Sequence, residues 1–82
     1  MHCLKFEKRA GHDFEKLEAN VYRRIWDKLQ EAKLNPLHFF EKLTESDYFK
    51  LRIGDWRVMV DIDDSTKTIT VLKVGHRRNV YD

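Results

Sequence analysis

The chain has 82 residues, 37% of them charged and 41% hydrophobic, which leaves room for one small core over residues 1–82 and none for separate cofactor and substrate domains. This composition is globular rather than disordered, and the formal net charge of +2 hides an asymmetry: residues 1–47 hold nine Lys/Arg against nine Asp/Glu, and residues 48–82 hold seven against five. The single cysteine, Cys3, excludes an internal disulfide and favours a reducing compartment. With no long apolar run to act as a signal peptide or membrane span, the expected location is the cytoplasm.

His2, Leu4 and Phe6 alternate with Cys3, Lys5 and Glu7, predicting a short opening strand. Ala10, Phe14, Leu17, Val21, Ile25, Leu29 and Ala32 then recur every three or four residues, an apolar stripe of helical period. One helix of that length would overhang a small sheet, so two are expected, broken near Ala19-Asn20. Asn35-Pro36 stops the second, because proline disfavours the helical region for the residue before it. Leu37, Phe39, Phe40 and Leu43 form a short packed connection. Tyr22 and Trp26 flank the stripe and are read as extra core rather than as an exposed patch.

Three runs of alternating apolar residues follow. Phe49, Leu51 and Ile53 share one face of a strand and leave Lys50 and Arg52 on the other; Trp56, Val58, Val60 and Ile62 leave Arg57, Met59, Asp61 and Asp63. Gly54-Asp55 predicts a tight hairpin between these runs, and Asp63 to Lys67 a looser one before Thr68–Val74. The last strand ends in Gly75, His76, Arg77 and Arg78. The order is β-α-α-β-β-β, an α+β fold with two N-terminal helices packed on one face of a small, antiparallel-rich sheet of about four strands. Surface Lys and Arg are usually only solvated charges, but here several share the face that the core leaves free. His2, His12 and His38 have no metal-ligand spacing with one another or with Cys3, and Asp61, Asp63 and Asp64 read as a solvated turn; no metal site or cofactor is expected.

The N-terminal FEKRAGHDFEKL, the NP after the second helix, the LRIGDWRVMVDID hairpin and the terminal VGHRRNVY stand in the order found in one family. Over nearly its whole length the chain resembles the RelE toxins of bacterial and archaeal toxin–antitoxin pairs, within the wider RelE/ParE superfamily. The resemblance implies a ribosome-dependent endoribonuclease that cuts messenger RNA in the ribosomal A site without metal and is neutralised by a cognate, RelB-like antitoxin in a hetero-oligomeric complex. It also implies catalytic roles for Lys50, Arg57, Arg77 and Tyr81, with Arg52, Arg78 and His76 as RNA contacts. One departure stands out: Tyr48 occupies a position where some members carry a second lysine. Trp56 stands where a tyrosine is common, on the apolar face.

Those residue types suit the implied reaction. Attack of a 2′-hydroxyl on the neighbouring phosphate develops a dianionic transition state and an alkoxide leaving group, which call for cations and for a proton acceptor and donor. Donors fixed toward developing charge are each worth roughly 3–4 kcal/mol, and positioned acid–base groups about 10²–10⁴ in rate. An arginine fork holds two phosphate oxygens, while Lys50 serves as a point charge or, among other cations, as a base. Tyr81 is assigned the base or base-stacking role with His76 as its rival, since His76 and Arg77 are adjacent on a strand and face opposite sides. The alternatives are a ParE-like inhibitor of DNA gyrase, which needs no proton-transfer residues, and a degenerate toxin that only binds antitoxin and RNA.

Overall fold

The opening alternation becomes β1 (Cys3–Phe6) in the computed structural model, which describes residues 2–79. The helical stripe becomes α1 (Lys8–Glu15) and α2 (Ala19–Ala32). The break falls at residues 16–18, slightly earlier than expected, because the amides of Lys16 and Leu17 tighten back onto the carbonyls of Asp13 and Phe14 at 3.3 and 3.2 Å. Asn20 lies inside the new helix, where its Oδ1 accepts the Val21 amide at 2.9 Å. Asn35 is held out of the helical region (φ −149°, ψ 71°), as its position before proline favours, and Pro36 opens a single turn, α3 (Pro36–Phe39), at the first helical position.

Four more strands complete the sheet: β2 (Glu41–Lys42), β3 (Phe49–Ile53), β4 (Trp56–Asp63) and β5 (Thr68–His76). They form one five-stranded sheet in the order β1-β5-β4-β3-β2, with β1 parallel to β5 and every other pair antiparallel. The expectation of about four strands missed β2. Two residues carry no alternation to read, and β2 exists only because Glu41 and Lys42 pair with Lys50 and Phe49.

Among the described residues, only one face of the sheet is covered. Ala10, Phe14, Ile25, Leu29 and Ala32 from the helices pack with Leu51, Ile53, Val58, Val60, Ile69, Val71 and Val74 in a single buried cluster, which Phe40 joins from the connection. Each large side chain fully buried there stabilises the fold by about 1.5–3 kcal/mol. Tyr22 and Trp26 were expected in this core but remain 39% and 40% exposed. Their rings pack edge-on to Phe14, and Trp26 also stacks on Phe6, so both line the rim of a groove between the two helices rather than its floor.

A β-bulge interrupts the pairing of β4 with β5. Val60 pairs with Val71 and Met59 with Lys73, so the register skips Leu72. The bulge explains why the buried positions of β5 run Ile69, Val71 and then Val74. Strict alternation would send residues 73 and 75 toward the helices along with Ile69 and Val71; the extra residue turns them to the open face instead. None of the described helices is long and apolar enough to cross a membrane.

Candidate functional site

On the open face, cross-strand neighbours line up in rows. Nearest the β3–β4 hairpin, Arg52 lies opposite Arg57, and Arg57 opposite Gly75. In the next row Glu41 lies opposite Lys50, Lys50 opposite Met59, and Met59 opposite Lys73. Further along, Asp61 lies opposite Thr70 and Thr70 opposite Lys5. The hairpin end of the face is therefore basic, and the far end carries Asp61 and Asp63.

The hairpin turns on two residues. Gly54 has φ +58°, a left-handed conformation favourable to glycine, and a Cβ there would also meet Arg24 Nη2 of α2 at 2.9 Å. Arg57 holds this turn from within. Its Nη1 donates to the Gly54 carbonyl at 2.7 Å and to the Trp56 carbonyl at 2.8 Å. Arg57 was expected as an exposed cation, yet it is only 8% exposed. Two main-chain acceptors offset the cost of burying its guanidinium.

Arg77 reaches the same turn from β5. Its amide donates to the Asp55 carbonyl at 2.8 Å, and its Nε lies 3.7 Å from Asp55 Oδ1. Lys50 Nζ lies 3.9 Å from Glu41 Oε1. Both ion pairs involve exposed carboxylates and so contribute about 0–1 kcal/mol, which an incoming phosphate can replace.

The register thus puts Lys50, Arg52 and Arg57 at one end of the open face, with Arg77 beside that end at the β3–β4 turn. It does not bring His76 there. That ring faces Trp56 on the helix side, edge-on at 5.6 Å, and its Nδ1 accepts the Arg78 amide at 3.3 Å. Arg77 lies just beyond β5, in the turn, with its side chain toward Asp55. Arg78 is exposed in the turn after β5, and Tyr81 lies outside the described residues. Sequence reasoning missed Lys73, since alternation from Ile69 and Val71 assigns it to the core face and only the bulge reverses it. It also passed over Asp55 and Glu41, whose partners come from other strands.

At the far end of this face, Asp63 closes the β4–β5 turn. Its Oδ1 accepts the Ser65 hydroxyl at 2.6 Å and the Ser65 and Thr66 amides at 3.0 and 3.4 Å. The Ser65 hydroxyl, followed by the turn amides, holds its carboxyl below the ordinary value of 3.8. His2 Nε2 lies 3.2 Å from Asp64 Oδ1, tying β1 to the same turn. Among the described residues, no three His, Cys, Asp or Glu side chains gather as a metal site.

Residues 4–81 match the family described as the ParE toxin of the type II toxin–antitoxin system parDE. The chain belongs to the ParE toxin family. By fold it is similar to RelE toxins. The RelBE2 toxin–antitoxin complex of Mycobacterium tuberculosis aligns at 25% identity over 93% of this chain and 98% of that one, with a TM-score of 0.85. The intact E. coli RelBE complex aligns at 25% identity over 93% and 96%, with a TM-score of 0.82. The archaeal RelE–RelB complex of Pyrococcus horikoshii, at 23% identity over 96% and 98%, shares the fold with a TM-score of 0.77. Among proteins of curated function, none matches the sequence. The likeness to solved RelE toxins extends over the β3–β5 platform that carries the basic rows.

Proposed function

We propose that this member of the ParE toxin family is a RelE-type, ribosome-dependent endoribonuclease that acts in the cytoplasm as a single domain over residues 1–82. It cuts messenger RNA in the A site and is held in check by a RelB-like antitoxin. The observation that carries this reading is the convergence of Lys50, Arg52, Arg57 and Arg77 on one uncovered end of the sheet. That arrangement fits a reaction whose transition state gathers negative charge on phosphate oxygens. Arg57, held by two carbonyls, is a cation already in place, and preorganised charge of this kind needs no rearrangement at the moment of reaction. Arg77, tethered only through an exposed carboxylate, can close on a phosphate by exchanging one oxygen partner for another. Lys50 supplies a third charge, and Arg52 and Arg78 hold the flanking backbone. Side-chain cations then do the work a metal ion does elsewhere, with Tyr81 assigned the proton transfer or base stacking. His76 points away from the set, which favours Tyr81.

The antitoxin partner rests on the company its relatives keep, since the similar RelE structures of M. tuberculosis and E. coli are complexes with RelB proteins. A second reading has its own support, because the matching family is described by its ParE members: binding to and inhibition of DNA gyrase. The deciding experiment adds the purified protein, or its Arg77→Ala variant, to a reconstituted translation reaction and maps messenger RNA ends by primer extension. Cuts within A-site codons that vanish in the variant are the expected outcome. Intact RNA together with inhibited gyrase supercoiling would replace this reading with the second.

A further inference from the structure

We infer that Lys73 is a phosphate contact that sets the path of the RNA, which crosses β3, β4 and β5 along the row Lys50–Met59–Lys73 rather than running lengthwise along a strand. The inference rests on the endoribonuclease reading and adds to it a residue and a direction. Three observations carry it. The bulge at Leu72 takes a lysine that alternation would bury and aims it at the open face, directly across Met59 from Lys50. Bulges cost pairing, so one that re-aims a charge beside a candidate site points to use. Lys73 is half-buried beside Met59, and among the described residues no ion pair involves its ammonium.

The third observation is the charge on either side of this row. The row toward the hairpin holds Arg52 and Arg57, whereas the row on the far side carries Asp61 on β4, then Thr70, with Lys5 only at the distant β1 edge. Successive rows are about 7 Å apart, and Lys50 and Lys73 lie two strand spacings, about 10 Å, from each other. A polyanion moving lengthwise from the basic end would meet Asp61 after a single row. One crossing between Lys50 and Lys73 keeps a cation at each side and places a sugar or base over the apolar Met59, and Glu41, beyond Lys50 in the same row, ends that crossing at β3. Repulsion at Asp61 therefore supplies direction as much as Lys73 supplies attraction.

The test measures binding alone, with a short 2′-O-methyl RNA of mixed sequence that cannot be cut. Affinity is followed from 50 to 300 mM salt for the full chain and for Lys73→Gln, Lys73→Arg, Lys5→Ala and Asp61→Asn. Losing one phosphate contact lowers the slope of log affinity against log salt by about 0.7 and weakens binding about fivefold at 0.1 M salt. Lys73→Gln is expected to show both effects, Lys73→Arg neither, and Asp61→Asn tighter binding. Lys5 lies on the same face but in the row of Asp61 and Thr70, so Lys5→Ala is expected to leave slope and affinity unchanged. Equal losses for Lys73→Gln and Lys5→Ala would mean diffuse attraction and overturn the inference, as would an unchanged Lys73→Gln. Either result leaves the endoribonuclease reading standing if the wild type still cuts messenger RNA on ribosomes. A wild type that neither binds nor cuts ends both.

Discussion

The two faces of this sheet are made from the same three strands and obey opposite rules. On the covered face, Leu51, Val58, Val60, Ile69 and Val71 are excluded from water, and chemical identity matters little beyond size and shape. On the open face, most of the side chains are charged, and their neighbours across the strands decide what they can do. The difference teaches that stability and activity in so small a domain can be assigned to alternate residues of one strand. Arg57 is the exception: it belongs to the open face by parity yet is buried, with its guanidinium built into the hairpin.

Substitutions can test that division. Ile69→Ala, at the centre of the covered face, is expected to cost about 2–5 kcal/mol in urea unfolding while leaving cleavage per folded molecule unchanged. A specific loss of activity without destabilisation would contradict the separation of faces. Arg57→Ala should break the rule in the other direction. It leaves the Gly54 and Trp56 carbonyls without their donor, so about 1–3 kcal/mol of stability is expected to go together with activity. Thermal melts beside a cleavage assay read both, and a variant of wild-type stability would show that the guanidinium does not hold the turn. Gly54→Ala should cost about 1 kcal/mol or more through its left-handed backbone alone, since the crowding Arg24 tip is flexible and can move aside.

The smallest effect is expected at the far turn. Because the folded carboxyl of Asp63 titrates below its ordinary value, its contribution is present above about pH 4 and is lost as pH falls through the folded value. Asp63→Ala lacks that contribution at every pH. The gap in urea midpoint between wild type and variant should therefore be open at pH 7 and close in acid; a gap that is constant with pH would assign the effect to something other than ionisation.

Much of the fold was legible because helices and long strands announce themselves by periodicity. The stripe from Ala10 to Ala32 and the alternation from Phe49 to Ile62 each repeat often enough to stand above chance, and the Gly54-Asp55 turn carries its own chemistry. The two-residue β2 and the one-turn α3 had no period to show. Within the candidate site, Lys50 and Arg52 were readable because β3 is regular. Lys73 was not, since the bulge that exposes it lies in the pairing of two strands and leaves no mark in either one.

By itself the sequence determined the strand and helix periods, the hairpin at glycine and the presence of basic residues among the alternating positions, all consequences of local geometry along one chain. The tertiary structure decided which of those cations meet. Pairing between β4 and β5 set the bulge, the Gly54 and Trp56 carbonyls hold Arg57 buried at the hairpin, and Asp55 drew Arg77 to the turn. Register and burial depend on partners distant in sequence, and no local period contains them.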